Sequence, residues 1–325
     1  MAEPNIGQVP SVAWENLWSD GPIDQYFTSQ ALLYLLKDGG YKESMDGGRL
    51  FEITVEYAPN TTFRSISETE VIDTSRIDVF DAARYEQKIH AGSIVFSDLE
   101  ELRNAVANRK IDVIKGKLKN GVSSAMQSMN EMLWGDGTGN GGKDFDGIKK
   151  IIPADPTVGT VGGINAGTWA FWRSKQASGA GTNFNNFRAA LLSVHNQCSL
   201  GGTEKKPTGL VMDRPSFEGY VKLLTDVTSL VKDGGGEADP DLGWLNEAVA
   251  YMGLPMVYDE QATPAATAYF VNKNYLKLMV LKGAWMKMKN PVEPANQLLR
   301  VHRVFTVGNL TAAARRHLGV VTNVA

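Results

Sequence analysis

Residues 49–57 read RLFEITVEY, and residues 82–91 read AARYEQKIHA. In the first stretch Phe51, Ile53, Val55 and Tyr57 alternate with Glu52, Thr54 and Glu56. A period of two with one apolar face is the pattern of a half-buried β-strand. The second stretch repeats it, with Ala83, Tyr85, Ile89 and Ala91 set against Arg84, Glu86, Lys88 and His90. The polar connection from Ala58 to Arg76 has no helical periodicity. Connections longer than about 12–15 residues are uncommon and usually functional. Residues 46–96 therefore read as a two-stranded finger with an extended tip, on which Phe63 and Arg64 lie.

A lone two-stranded hairpin is marginally stable in water, so the apolar face of the finger needs a surface beneath it. Its own domain or a neighbouring subunit could supply that surface. The neighbour is favoured, because the N-terminal segment makes the same demand. Trp14, Leu17, Trp18, Tyr26 and Phe27 crowd an arm that must be tied down on something. The candidate intersubunit residues are accordingly Trp14, Trp18, Phe51, Ile53, Val55, Tyr57, Phe63 and Arg64. Leu32, Leu33, Leu35 and Leu36 predict a short helix at the end of the arm.

Downstream, Leu102, Val106, Ile114, Leu118, Val122, Ala125, Met129 and Leu133 recur at helical spacing and predict a long helix over 97–133. The helix runs into WGDGTGNGGKDFDGI, residues 134–148. Gly137 to Gly142 match G-x-G-x-x-G, and Gly137, Gly142 and Lys143 nearly match a phosphate loop. A nucleotide-binding enzyme using the loop 135–142 is thus one reading. Its context is wrong, however. Phosphate loops follow a strand and open a helix, where the positive end of the dipole meets the anion. This loop follows a helix C-terminus, where the dipole disfavours phosphate. Position 144 is Asp, where a Ser or Thr would hold magnesium. The oxygen donors Asp136, Thr138, Asn140, Asp144 and Asp146 fail the EF-hand order. A capping turn with left-handed Gly135 and Gly137 is expected instead, followed by a short strand-like run, FDGIKKII.

Other chemistry is sparse. His90, His195, His302 and His317 are scattered, with no metal-ligand spacing, and no G-x-S-x-G elbow occurs. Cys198 is the single cysteine, so no intrachain disulfide forms. No run of about 18 apolar residues suggests a membrane span. No catalytic residue, cofactor or metal is expected.

With 325 residues and 43% hydrophobic content, the chain can build two or three folding units. Beyond the loop-like stretch holding Trp169 and Trp172, NNFRAALLSVHNQC is an amphipathic helix with Phe187, Leu191, Val194 and Cys198 on one face. TGLVMD reads as a buried strand and RPSFEGYVKLLTDV as a helix, with VKDGGGEADPDLG a loop after it. AYMGLPMVYDE and AYFVNKNYLKLMV add strands, which implies a unit of α/β or α+β type. WMKMKNP and LLRVHRVFTV close the chain as further strands. The net charge of −3 hides an asymmetry. Residues 46–96 hold nine acids and five bases, net −4, while 273–325 hold nine bases and one acid, Glu293, net +8. Solvated faces, a charged intersubunit contact and an inward face near nucleic acid are the readings of that asymmetry, and a basic-tailed DNA-binding module is a rival reading of the chain.

Arm, finger, long helix, glycine turn, α/β unit and closing strands, in that order, resemble the major capsid proteins of tailed bacteriophages with the Hong Kong 97 fold. Four stretches carry the resemblance: AARYEQKIHAGSIVFSDLEE (82–101), MNEMLWGDGTGNGGKDFDGIKKII (129–152), VGGINAGTWAFWR (161–173) and VGNLTAAARRHLGVVTNV (307–324). The resemblance implies an α+β capsid fold with an N-terminal arm at 1–45 and an extended β-hairpin loop at 46–96. It implies a peripheral domain with a spine helix at 97–150 and 273–325, and an α/β axial domain at 151–272. It also implies hexamers and pentamers closing an icosahedral shell around double-stranded DNA, held by nonspecific contact. The resemblance further implies a virion shell assembled in the bacterial host cytoplasm, with portal and decoration proteins as partners. About 45 residues precede the finger, too few for a scaffolding extension, so a separate scaffolding protein is expected. No local motif matches the lysine–asparagine crosslink of some members.

Overall fold

The computed structural model describes residues 30–99, 113–179, 184–226, 250–262 and 266–323. The expected arm residues Trp14, Trp18, Tyr26 and Phe27, the first part of the long helix and the 231–243 loop lie outside the described residues.

Helix α1 (Ala31–Asp38) turns Leu32, Leu33 and Leu36 into the core. Its first amides are satisfied by distant side chains: Leu32 N–H donates to Asp259 Oδ2 at 3.0 Å and Leu33 N–H to Asn130 Oδ1 at 2.9 Å. Asn130 closes the link by donating to Asp259 Oδ2 at 2.9 Å. Strand β1 (Lys42–Met45) follows. Strands β2 (Leu50–Glu56) and β3 (Phe80–Glu86) then pair antiparallel as expected, with Phe51 opposite Tyr85 and Ile53 opposite Ala83.

The second stretch of the finger is two strands rather than one. Gln87 separates β3 from β4 (Lys88–Ser97), and the alternation slips by one residue there. Ala83 and Tyr85 are buried, but beyond the break Ile89 and Ala91 are exposed, while Lys88 and His90 turn inward. β4 leaves the finger altogether and joins another sheet.

The long helix emerges as α2 (Val113–Trp134), 22 residues and so about 33 Å. Ser97 is the last residue of β4, Asp98 and Leu99 directly after it are helical, and 100–112 lie outside the described residues. After the glycine turn, Ile148–Ile151 form one turn of helix, α3, instead of the expected strand. Four apolar-rich residues fit either period. The helix wins because Ile148, Ile151 and Ile152, at i, i+3 and i+4, are then buried together.

Hairpin β5 (Thr160–Val161) and β6 (Ile164–Asn165) sits against the finger, where Gly162 O accepts Arg84 N–H at 2.9 Å. Then come β7 (Lys175–Ser178), α4 (Phe184–Cys198), β8 (Gly209–Asp213), α5 (Arg214–Asp226), β9 (Ala250–Tyr251), β10 (Leu254–Asp259) and β11 (Thr267–Val271). The chain ends with β12 (Leu276–Leu281), β13 (Lys287–Met288), β14 (Leu299–Ala312) and β15 (Gly319–Thr322).

Two main sheets organise these elements. One has the order β1-β12-β14-β13, with β4 also paired along β14. The other is six-stranded, in the order β7-β15-β11-β8-β10-β9. The six-stranded sheet divides two apolar clusters. Val211, Tyr269, Val271 and Val320 face α1 and α2, and Leu210, Met212, Phe270 and Val321 face α4 and α5. All five residues of β8 are buried, as a strand covered on both faces requires. The last strand crosses the expected boundary at 272/273. β15 pairs with β7 and β11 in the six-stranded sheet, not in the sheet that holds β12 and β14.

Candidate assembly surface

The finger divides into a root and a tip. At the root, Phe51 and Val55 of β2 and Ala83 and Tyr85 of β3 are buried in the first apolar cluster, with Val161 and Trp172. Tyr85 adds polar ties: its hydroxyl donates to Ala312 O at 2.9 Å, and burial raises its pKa. The expectation that Phe51 and Val55 lie across a neighbouring subunit is therefore corrected. Their own chain covers them, and hydrophobic burial needs only one cover. Ile53 is half-buried against the same cluster. Tyr57 is half-buried in an aromatic group, 6.2 Å from Trp169 and 5.8 Å from Phe171, and its hydroxyl donates to Asp78 O at 2.7 Å.

The tip is different. Phe63 is 86% exposed, Val71 82% and Ile72 64%. Local turns hold its shape: Asn60 accepts from Thr62 N–H at 3.0 Å, and Asp73 from Ser75 N–H at 2.9 Å. The Ser75 hydroxyl, donating to Asp73 at 2.6 Å, and after it the Ser75 N–H hold the Asp73 carboxyl below its ordinary pKa. Arg64 is exposed and pairs with Glu70 at 3.1 Å. Of the sequence candidates, the structure thus leaves Phe63 and Arg64 open, covers Phe51 and Val55, and brings Tyr57 to a half-covered aromatic rim. Trp14 and Trp18 lie outside the described residues.

The glycine loop is a structural knot. It follows the C-terminus of α2, and Gly137 takes the left-handed conformation expected of it, at φ +77°. Gly135 does not; its N–H closes the helix by donating to Met132 O at 3.0 Å. Gly147 is required by close approach, since a Cβ there would lie 2.2 Å from Gly135 O and 2.7 Å from Leu133 O. Asp146, nearly buried, accepts from Lys88 Nζ at 3.0 Å, Lys150 Nζ at 2.7 Å and Asn309 Nδ2 at 3.1 Å. Asn309 Oδ1 in turn accepts Asp146 N–H at 2.7 Å. Lys88 Nζ also donates to Asp144 O and, at 3.5 Å, to Gly137 O. β4, the loop and β14 are thus tied through one carboxylate. Sequence reading missed Lys88, Asp146 and Asn309. The only signal was an aspartate set between the apolar Phe145 and Ile148.

His90 faces inward, 6.5 Å from the Phe145 ring and bonded to the Ala125 backbone. Burial lowers its pKa, against weaker upward pulls from that bond and from Asp144. The unfolded chain therefore takes up a proton near pH 6.5 that the folded chain refuses until lower pH. The His90 contribution is full above about pH 6.5 and is lost as pH falls through the folded value. His90→Phe should flatten the loss of stability between pH 7.5 and 5.5 in urea titrations, and an unchanged slope would assign the loss elsewhere.

Burial pushes the Cys198 thiol up to about 12. His317 Nδ1 lies 2.9 Å from Cys198 O and its ring stacks on Tyr275 at 4.7 Å. Among the described residues no group of three or more His, Cys, Asp or Glu could hold a metal ion, and no helix is long and apolar enough to cross a membrane.

No family model matches the chain, and no curated protein matches its sequence. Solved structures match from end to end. The chain of the cyanophage A-1(L) capsid asymmetric unit superposes with a TM-score of 0.73 at 15% identity, over 98% of this chain and 99% of that one. A chain from the capsid of the native GTA particle gives a TM-score of 0.63 at 12% identity, with 100% of each chain covered. The holo-SrpI encapsulin complex of Synechococcus elongatus PCC 7942 gives 0.59 at 10% identity, over 99% and 96%. Root-anchored finger, two sheets and all, the chain has the fold of the phage capsid proteins that its sequence resembles.

Proposed function

We propose that this chain is the major capsid protein of a tailed bacteriophage, copies of which assemble as hexamers and pentamers into an icosahedral shell around double-stranded DNA. The observation that carries this reading is the end-to-end match to shell-forming chains, 98% of this chain on 99% of the cyanophage chain. The exposed apolar tip supports it, since Phe63, Val71 and Ile72 have no cover of their own. In this reading α2 is the spine helix of a peripheral domain built on the sheet of β1, β4, β12, β13 and β14. The six-stranded sheet forms the axial domain, with β15 belonging to it.

The role is structural, not catalytic. Each contact is modest: about 2.5 kcal/mol for every 100 Å² of apolar area covered, less the cost of ordering the tip. Closed symmetry repeats the contact around the shell. The basic residues of 273–325 contact DNA without sequence preference. A separate scaffolding protein, a portal and decoration proteins complete the assembly in the host cytoplasm.

Electron microscopy of the expressed protein should show closed particles, and virion particles should protect DNA from nuclease. A preparation that stays monomeric under all assembly conditions refutes the reading. The encapsulin match favours a second reading, a shell of that kind; closed particles that never hold protected DNA in the producing cell select it.

A further inference from the structure

The glycine loop holds chemistry that assembly does not use. Asn-Gly occurs twice in the chain, at Asn120-Gly121 and at Asn140-Gly141. An asparagine followed by glycine can react with its own backbone, because the glycine has no Cβ to hinder the approach of its nitrogen to the carboxamide. The fold puts the two pairs in opposite settings. Asn120 and Gly121 lie inside α2, where each backbone N–H is committed to the carbonyl four residues back. Gly121 is also pressed against the Ile94 side chain. Asn140 and Gly141 are exposed. Both are left-handed, at φ 50°, ψ 35° and φ 70°, ψ 35°, which is the geometry Asn-Gly favours in tight turns. A Cβ built on Gly141 or Gly142 meets nothing within 4 Å, so the loop has room to change its backbone.

We propose that Asn140 is a self-modification site. The Gly141 nitrogen attacks Asn140 Cγ and forms a new N–Cγ bond. The Cγ–Nδ2 bond breaks, and Nδ2 leaves as ammonia with the Gly141 amide proton. The product is a five-membered succinimide. Water then opens the ring at either carbonyl, giving hydroxyl to carbon and hydrogen to nitrogen. Residue 140 becomes aspartate or, with the main chain rerouted through its side chain, isoaspartate. Nothing is oxidised or reduced, and water is the sole co-reactant. Both products disturb the same contacts. Asn140 Nδ2 donates to Asp144 Oδ1 at 2.7 Å; a carboxylate at 140 has no proton to give, so two like charges meet there. The hydrogen bond from Gly142 N–H to Thr138 O, at 3.0 Å, spans residue 140, and isoaspartate adds a backbone carbon inside it. Asp144 O also accepts from Lys88 Nζ, so the change reaches the buried tie between the loop and β4. This chemistry belongs to the single chain and does not depend on the shell.

The test is peptide mapping of the full chain after storage in warm, mildly alkaline buffer, with mass spectrometry to find the acid and chromatography to separate aspartate from isoaspartate. Residue 140 should convert to both, at a rate that rises with hydroxide, while Asn120 stays amidated. Gly141→Ala should slow the conversion severalfold. In urea, where neither pair is held, the two asparagines should convert alike. The aged protein should unfold at a lower urea midpoint than fresh protein, and aged Gly141→Ala should keep its own midpoint. Conversion at 140 no faster than at 120 overturns the proposal, as does conversion to aspartate alone, which is direct hydrolysis. A gap between the two sites that survives unfolding overturns the structural explanation. A fully converted protein with an unchanged midpoint overturns the link to the buried tie.

Discussion

A Phe51→Asp subunit is expected to lose its own fold, and not merely its neighbours. Phe51 is fully buried between β3 and the core that Tyr85, Val161 and Trp172 share. Truncating a buried phenylalanine costs about 3–5 kcal/mol. An unpaired carboxylate placed there adds a desolvation penalty of several kcal/mol more, or drags its pKa far upward. Domains are stable by only about 5–15 kcal/mol, so the variant should be expressed as insoluble or unfolded protein. Phe63→Asp, at the exposed tip, should leave the thermal unfolding midpoint within a few degrees of the parent and block particle formation. Circular dichroism with light scattering separates the two. A Phe51→Asp subunit that folds and fails only in assembly would return the root to the interface.

The second large effect concerns Asp146. Asp146→Ala removes the carboxylate that neutralises Lys88, whose side chain is only 10% exposed. Breaking a nearly buried pair from one side strands the other charge, at a cost of about 3–5 kcal/mol. It also removes one of the two acceptors of Asn309 Nδ2, which keeps only Glu86 O. Lys88→Met combined with Asp146→Ala should recover much of the loss, because the stranded ammonium is gone. Urea unfolding of the four proteins in this cycle measures the coupling. Additive effects of the two single changes would show that Lys88 and Asp146 do not depend on each other.

The finger strands, the buried strand β8 and the amphipathic helix α4 were legible because each carries its own period. In α4, Phe187, Leu191, Val194 and Cys198 are all buried, as their spacing predicts. The slip at Gln87 was not legible. Lys88 and His90 look like an outward face, and they turn inward only because Asp146 and the Ala125 backbone meet them there. Those partners stand 58 and 35 positions away in sequence, beyond any local pattern. The cover over Phe51 was hidden for the same reason. Amphipathic alternation says that a face must be buried, and says nothing of which surface buries it. The helix that precedes the glycine loop was legible because its apolar period is local.

β14 pairs with β4, β12 and β13. Its ten-residue ladder with β4 joins chain segments roughly 200 residues apart, from Ser97 with Leu299 to Lys88 with Gly308. A nascent chain therefore cannot complete this sheet until residues 299–308 have left the ribosome. Until then β4 offers a bare edge to other nascent chains, and distant pairings of this kind close slowly. Heavy synthesis of such a chain places its demand on holding chaperones during the interval between translation and closure.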